Sequence, residues 1–386
     1  MIYIRMDMDH IHAIKHLIEK CNEYNLDLYI AFIDYQKAFD SIEIWAVLNS
    51  LNACRVDSRY TNLIKNIYSS AIMHVQLWNK TNDIPIKRGV RQGDTVSPGL
   101  FIAALNEIFR EMDWHKKGIN IDGELLHHLR FADDIVLISS NVQELQDMIL
   151  DLNNHSKNVG LEMNISKMKI MTNKNNNPVI HVEGQQLENV ENYIYLGQKL
   201  TTKKDNMTDE ITRRVSLSWA AFGKLKHVLT SDIPHNLKKN LYNQCILPVL
   251  TYGAETWCLT KKLAQKLTKT QRAHERIILN IKLSDRIRNT WIREQTKLTD
   301  VMERAAQLKW SLAGHVARRN DNRWTKRLME WRPRVGHRSI GRPNTRWRDD
   351  IKKSAGLLWM RGAISRKKWF NMGKAYIQQW IEIGRS

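Results

Sequence analysis

The stretch LRFADDIVLIS, residues 129–139, places Asp133 and Asp134 between two apolar runs. Two apolar runs separated by a short polar segment predict a β-hairpin, with both acids at its bend. A second apolar run, Leu28 to Phe32, predicts a buried strand that carries Asp34 just beyond its C-terminal end. Because an unpaired carboxylate is costly in apolar surroundings, a shared metal ion would explain both positions.

Charge is unevenly distributed along the 386 residues. Residues 1–200 contain 20 Lys and Arg against 25 Asp and Glu, whereas residues 201–386 contain 40 against 15. The second half also holds ten of the 13 tryptophans, and Trp331 and Trp347 are interleaved with the arginines of 332–348. Since cations bind phosphate and flat rings stack on bases, RNA or DNA is the expected partner. A solubilising tail is the alternative interpretation of the arginine-rich stretch.

Cysteine usage and hydropathy indicate an intracellular protein, nuclear or cytoplasmic. The four cysteines show neither a metal-binding nor a disulfide-framework spacing; they are Cys21, Cys54, Cys245 and Cys258. The N-terminus lacks the apolar core of a secretory signal, and no stretch approaches the ~18 apolar residues of a membrane span. We therefore expect a protein that is neither secreted nor membrane-bound.

The three acids suit nucleotidyl transfer by two Mg2+ or Mn2+ ions. Magnesium prefers hard oxygen ligands and retains several waters, so two or three carboxylates suffice. Asp34 and Asp133 are the candidates for bridging both ions, and Asp134 is the adjacent supporting acid. Considered alone, Asp34 would more often be a helix cap or turn residue, and Asp133-Asp134 a solvated hairpin turn.

Five segments in order resemble the palm of the reverse transcriptases of non-long-terminal-repeat (LINE-type) retrotransposons, with an RTE-like subtype favoured. The segments, each resembling one family motif, are FIDYQKAFD at 32–40 (motif A), GVRQGDTVSPGLF at 89–101 (motif B), LRFADDIVLIS at 129–139 (motif C), GLEMNISKMKIM at 160–171 (motif D) and YLG at 195–197 (motif E). The resemblance implies an RNA-directed DNA polymerase that uses an RNA template, a DNA primer and deoxynucleoside triphosphates.

The resemblance also assigns roles to single residues. Phe39 matches the steric gate against a ribose 2′-hydroxyl, and Lys167 matches a motif D lysine that can protonate the departing pyrophosphate. Gln92 and Gly93 match the segment beside the incoming nucleotide and template base, and Arg91 is a further candidate for phosphate binding. The alternatives are a core aromatic for Phe39, a solvated lysine for Lys167 and a surface charge for Arg91. Asp40 is expected to be structural.

The fold implied by the resemblance is α+β, a right-hand polymerase palm with an antiparallel sheet and partial fingers, followed by helices. We expect residues 1–27 to be a remnant of the fingers–palm connection and residues 28–200 to form the palm. A helical thumb is expected at 201–300, and a basic, mostly α, nucleic-acid-binding extension at 301–386. Within motif D, residues 161–171 are predicted to form a strand.

Family members carry an endonuclease domain and fingers upstream of the region matched in this chain. We therefore expect an N-terminally truncated protein with an exposed apolar face around Ile11, Ile14 and Ile18. Two functions follow from this expectation. The first is an RNA-directed DNA polymerase, and the alternative is a noncatalytic nucleic-acid-binding remnant of a retrotransposon.

Overall fold

The computed structural model describes residues 4–76, 78, 81–202, 207–338, 341 and 345–385. The helices of these residues are α1 Ile4–Tyr24, α2 Ala38–Ser41, α3 Ile44–Ala53, α4 Ser58–Ser69, α5 Ser97–Glu111, α6 Val142–Asn158, α7 Met207–Leu229, α8 His235–Cys245, α9 Leu247–Leu250, α10 Lys261–Ile278, α11 Asn289–Thr296, α12 Val301–Ala317, α13 Trp324–Glu330, α14 Asp349–Ala355, α15 Trp359–Ile364 and α16 Arg366–Arg385. Short 3-10 helices occur at Ala254–Thr256 and Leu283–Asp285.

The strands are β1 Tyr29–Ile33, β2 Ile72–Met73, β3 Ile84–Pro85, β4 Ile119–Ile121, β5 Glu124–Leu126, β6 His128–Phe131, β7 Asp134–Ser139, β8 Lys169–Thr172, β9 His181–Val182, β10 Gln185–Gln186, β11 Glu188–Asn189, β12 Asn192–Tyr195 and β13 Gln198–Thr201. The chain divides into two compact units. We call Leu26–Tyr193 the central unit, and Met1–Asn25 with Ile194–Ser386 the composite unit.

A five-stranded sheet in the order β11-β8-β1-β7-β6 organises the central unit. Strand β1 pairs antiparallel with β7 and β8, and only the edge strand β11 runs parallel to its neighbour β8. All five residues of β1, YIAFI, are buried, as expected for a central strand with both faces covered. Helices α5 and α6 contribute to the core on the sheet face that presents Ala31 and Ile135. The α+β fold with an antiparallel sheet is confirmed.

The first helix of the chain belongs to the composite unit, where it contacts α13 and the 3-10 helix Ala254–Thr256. The prediction that Ile11, Ile14 and Ile18 form an exposed apolar face is wrong, because these side chains are between 0% and 2% exposed. Sequence reasoning treated the N-terminal helix and the C-terminal residues as separate parts. In the structure they fold together, so the helix has a partner.

One hydrophobic core in the composite unit draws on residues from both the predicted thumb and the predicted extension. Phe222 and Trp257 come from the first region, and Trp310, Trp369 and Tyr376 come from the second. The boundary at residue 300 thus falls within a continuous packed core, and the division into thumb and extension stays a prediction. No helix in the described part of the chain is long and apolar enough to cross a membrane.

Most tryptophans of the basic half are structural. Seven of those ten are buried, including Trp331 and Trp347 at 4% and 3% exposure. The indole N–H of Trp347 donates to the carbonyl of Glu255 at 2.8 Å, and its ring meets the ring of His12 edge-on. The prediction that Trp331 and Trp347 are available to stack on bases is wrong, because core packing occupies both rings.

The predicted motif D strand is shorter than expected. Only Lys169–Thr172 is a strand, and the residues before it form an irregular segment with a turn. The carbonyl of Asn164 accepts hydrogen bonds from the amides of Lys167 and Met168, at 3.0 and 3.1 Å. Met163 forms only an isolated antiparallel bridge with Tyr35, and the two bonds to Asn164 curve the chain after it. The prediction of a continuous strand is therefore wrong for 161–168.

Trp310 and Trp369 form the most intimate aromatic contact of this core. Their rings stack at 3.9 Å, and each indole N–H donates to the backbone carbonyl of the other residue, at 2.9 and 3.0 Å. We expect Trp369→Ala to lower the free energy of unfolding by about 3–5 kcal/mol, because it opens a large cavity, removes the ring stack and removes the hydrogen bond that the Trp369 indole donates. Urea denaturation followed by circular dichroism measures this loss.

The matched control is Trp291→Ala, which removes an indole that is 44% exposed. It should cost less than about 1 kcal/mol. Equal losses in the two variants would contradict a shared core for residues 301–386 and the preceding helices.

Candidate active site

Pairing of β1 with β7 brings the acids of motifs A and C to one end of the sheet. Ile33 lies opposite Ile135, so the next step of the same register sets Asp34 opposite Asp134. Because side chains alternate across a strand, both carboxylates lie on the same face. A two-residue turn, Ala132 and Asp133, joins β6 to β7. The predicted hairpin with acids at its bend is therefore confirmed.

The hairpin turn is strained at Ala132. Its φ of +52° lies in the left-handed region, which a residue with a Cβ rarely adopts. Such a conformation costs on the order of 1–3 kcal/mol and persists where surrounding structure imposes it. Here the neighbouring strands β6 and β7 impose it, and the result is a fixed position for Asp133.

The carboxylate of Asp134 is close enough to those of Asp133 and Asp34 to be repelled by their charges. Burial, followed by the charges of Asp133 and Asp34, raises the pKa of Asp134 to about 6. The same charges reach Tyr193, whose pKa is raised first by burial and then by Asp134 and Asp34. The Tyr193 ring also stacks on Phe32 at 4.0 Å. Sequence reasoning missed Tyr193, and its position two residues before the YLG segment was the available signal.

The motif D segment places Lys167 beside Asp34. The amide of Asn164 donates to the carbonyl of Asp34 at 2.8 Å, which ties the turn at 164–168 to the end of β1. The Lys167 ammonium then lies 3.5 Å from Asp34 Oδ2, with a lysine side chain that is 67% exposed. That oxygen is buried and accepts no hydrogen bond from any described residue. The four predicted catalytic residues therefore meet at one place.

The donor set fits a hard divalent cation. Within the described residues, no group of three or more His, Cys, Asp or Glu side chains is arranged to hold an ion by itself. Magnesium is commonly held by one or two carboxylates, with waters and substrate phosphates completing the shell. A bound cation would offset the charge repulsion at Asp134 and would give the buried Oδ2 of Asp34 a partner that no described hydrogen bond supplies.

Motif B is attached to the segment that follows Asp34. The amide of Gly89 donates to the carbonyl of Ile42 at 2.8 Å, and the amide of Val90 donates to the carbonyl of Phe39 at 2.7 Å. Gly89 has a φ of +84°, and a Cβ at this position would lie 2.7 Å from the backbone of Asp40. Only glycine allows this close approach.

The predicted substrate-binding residues surround this attachment. The side-chain amide of Gln92 donates to Asp40 Oδ1 at 2.8 Å, so Asp40 positions Gln92. Gly93 has a φ of +85° and open space where a Cβ would lie, and Arg91 is exposed. Among the described residues, no hydrogen bond or ion pair joins Arg91 or Gln92 to the three clustered acids.

The ring of Phe39 packs against the hydrophobic core and is also partly exposed to solvent. Its ring stacks on the buried ring of Phe101 at 4.7 Å with an interplanar angle of 19°. Phe39 is only half-buried, so its packing against the core leaves part of the ring accessible. Both sequence interpretations of Phe39, as a core aromatic and as a gate, are compatible with this position.

The comparisons with known proteins agree with the fold and the clustered acids. The family model described as reverse transcriptase (RNA-dependent DNA polymerase) matches residues 1–200. A transposon-derived protein of Caenorhabditis elegans is 34% identical over 65% of this chain and 96% of its own length. A Pol polyprotein from the type-1 retrotransposable element R2 of Popillia japonica is 23% identical over 93% of this chain and 62% of its own length.

Among solved structures, telomerase from Candida albicans in complex with a fragment of telomeric RNA aligns with 99% of this chain and 56% of its own. The identity is 11% and the TM-score is 0.43. Apart from the worm protein, the chain spans less than two thirds of these relatives.

A palm sheet with clustered acids, matched by the family model over more than half the chain, defines a reverse transcriptase. The chain belongs to the reverse transcriptase family, with relatives that are Pol polyproteins of non-long-terminal-repeat retrotransposons. This confirms the resemblance found in the sequence and its RNA-directed DNA polymerase class. The RTE-like subtype stays a prediction.

The crowding of acids predicts a pH-dependent stability. Because the pKa of Asp134 is raised in the folded chain, the folded state binds more protons between about pH 4 and 6, and stability falls as pH rises through that window. In metal-free buffer at about pH 8, Asp134→Asn should stabilise the chain by about 1 kcal/mol, after allowance for solvent screening at this accessible site. Urea denaturation measures the difference.

At about pH 4 this difference in stability should vanish, because Asp134 is then protonated in the folded chain and is as neutral as asparagine. Asp147→Asn, an exposed acid on α6, serves as the control and should show no such dependence. A destabilised Asp134→Asn at pH 8 would contradict mutual repulsion among the acids.

Proposed function

We propose that the chain extends a DNA primer on an RNA template with deoxynucleotides, using Asp34, Asp133 and Asp134 as ligands for Mg2+ or Mn2+. The observation that carries this proposal is the convergence of three carboxylates, one of which, Asp34, has a buried Oδ2 that accepts no hydrogen bond from the described residues. When bound, a pair of such ions activates the primer hydroxyl and neutralises the triphosphate. The family generally uses divalent ions, and the preference for Mg2+ or Mn2+ belongs to the proposal.

In this proposal the protein contributes fixed geometry. Asp34 directly follows β1 and Asp134 begins β7, so the pairing of these two strands holds the two carboxylates at neighbouring positions. Asp133 is held by the strained turn. Because these groups are oriented before substrate arrives, little reorganisation is needed during the reaction.

Lys167 is proposed to act on the leaving group. In the described chain its ammonium offsets the charge of Asp34 at 3.5 Å. Its side chain is mostly exposed, so it can turn toward a departing pyrophosphate and donate a proton. The turn anchored by Asn164 keeps the lysine within reach of the site.

Arg91, Gln92 and Gly93 are proposed to meet the incoming nucleotide. The hydrogen bond from Gln92 to Asp40 fixes the amide, and the open space at Gly93 lets a base or sugar approach the backbone closely. Arg91 presents an exposed guanidinium that can pair with phosphate.

Primer extension on an RNA template, with Mg2+ and Mn2+ in parallel, tests the catalytic proposal. Asp34→Asn and Asp133→Asn should each lower incorporation by at least about a hundredfold, because each removes a charge needed in the transition state. Asp147→Asn, the same change at an exposed acid of the central unit, should retain activity.

Two results would count against this function. If both variants still incorporated nucleotides, the proposed role of Asp34 and Asp133 as ligands of the catalytic ions would be wrong. No incorporation by the unsubstituted chain, with salt-sensitive template binding retained, would instead favour the noncatalytic nucleic-acid-binding protein, which the charge of +25 in residues 201–386 supports.

Discrimination between sugars tests Phe39. Phe39→Ala should raise ribonucleotide incorporation relative to deoxynucleotide incorporation by about 10- to 100-fold, because a steric contact of this kind contributes roughly 1–3 kcal/mol. Phe101→Leu perturbs the other ring of the same stack and should lower stability without changing sugar choice. The ratio of kcat/KM values for the two nucleotides is the measurement, and equal shifts in both variants would contradict the gate.

A further inference from the structure

A pocket of about 550 Å3 in the composite unit is lined almost entirely by cations. Its lining residues are Tyr24, Arg332, Arg338, Arg346, Arg348 and Lys352. Arg332 and Arg338 are exposed at the rim, whereas Arg346, Arg348 and Lys352 are half-buried. The pocket combines the end of α1 with residues from 332 onward, so only the folded chain assembles it.

Contacts inside the protein hold several of these side chains in place. Arg346 donates to both oxygens of Glu23, at 2.9 and 2.8 Å, and Arg338 pairs with the same carboxylate at 2.7 Å. One Nη of Arg348 donates to the carbonyl of Met329 at 3.0 Å. The guanidinium groups are therefore oriented before any ligand binds, which lowers the entropy cost of binding.

Positive charge at this pocket exceeds the negative charge that balances it. Glu23 is shared by two arginines, and the charges of Glu19 and Asp349 also act on the pocket cations. No described residue forms an ion pair with Arg332, Arg348 or Lys352, so the cations still outnumber these three acids. Nε of Arg348 is buried without a hydrogen-bond partner among the described residues. Burial, followed by repulsion from Arg348, also lowers the pKa of Lys352.

Lys20 adds a buried cation beside the pocket. Its side chain is 1% exposed, its Nζ has no hydrogen-bond partner among the described residues, and it lies 6.0 Å from the centre of the Tyr24 ring. Burial, followed by the charge of Arg348, lowers the pKa of Lys20 to about 8. The charges of Glu23 and Glu19 act in the opposite direction without cancelling this effect. A buried cation whose ammonium has no hydrogen-bond partner is costly, and a bound anion would offset that cost.

We propose that this pocket, with Lys20 behind it, binds consecutive phosphates of a polynucleotide strand. A water molecule occupies about 30 Å3 in the liquid, and a phosphate is only a few times larger. A single phosphate would therefore leave much of the 550 Å3 pocket unfilled. The Tyr24 ring is flanked by Lys20 and by Arg338, at 6.0 and 5.0 Å, so cations occupy its surroundings. The proposed contacts are therefore made to the phosphates of the strand and do not depend on its bases or sugars. Binding at this pocket does not require the clustered aspartates.

Fluorescence anisotropy with labelled uridine and deoxythymidine homopolymers tests the proposal on the full chain. The pocket variant is Arg332→Gln with Lys352→Gln, two side chains without described ion pairs. It should weaken binding of both strands about tenfold near physiological salt and reduce the slope of log K against log salt by about 1.4, since each lost contact to a single strand contributes about 0.7.

The matched control is Lys261→Gln with Lys262→Gln, which removes the same charge from an exposed part of α10 in the same unit. It should change affinity less than about twofold. Lys352→Arg preserves the charge and should retain binding, which separates a lost contact from a misfolded chain. Equal weakening in the pocket and control variants would overturn the site in favour of diffuse electrostatic attraction.

Inorganic phosphate distinguishes a strand from a small anion. We expect phosphate to displace the labelled strand no better than potassium chloride at equal ionic strength. Displacement by phosphate far beyond the chloride control would show a small-anion site and overturn the strand proposal. Asp133→Asn should bind both strands like the unsubstituted chain, so loss of catalysis and loss of this contact are separately visible.

Discussion

The antiparallel pairing of β1 with β7 is the constraint on which the central unit depends. It sets Asp34 opposite Asp134 at the end of the sheet, on one face, with Asp133 in the adjoining turn. Burial of Asp134, followed by the like charges of Asp133 and Asp34, opposes folding at this position and raises the pKa of Asp134. Burial of apolar residues such as Ile33 and Ile135 on the neighbouring positions offsets this repulsion.

The elements around the acids are fixed by backbone contacts more than by side chains. The motif D turn is tied to the carbonyl of Asp34, and motif B is tied to the residues that follow Asp34 through Gly89 and Val90. Gly89 needs a φ of +84° for its close approach to Asp40, and the hairpin turn separately requires a left-handed Ala132. The strain at Ala132 persists because the paired strands around it are held by the hydrophobic core.

The composite unit changes the interpretation of the basic half. Tryptophans that composition alone offers for base stacking are instead its core, as Trp310, Trp347 and Trp369 show. Helix α1 instead contributes to a cluster of positive charge, because it places Lys20 and Tyr24 beside arginines more than 300 residues away. The nucleic-acid contact that we propose for this unit therefore depends on phosphate chemistry rather than on the buried rings of Trp331 and Trp347.

The sequence by itself determined the motifs, the strand and hairpin that carry the acids, and the excess charge, because apolar patterns and turn signals are local. Tertiary structure decided what is nonlocal: that α1 packs with the C-terminal residues, that Trp347 is buried, and that Asp40 holds Gln92. Residues 161–168 also escaped prediction, since their turn depends on a contact with Asp34. Contacts between distant segments decide which of the locally possible conformations is adopted, and no local sequence pattern encodes those contacts.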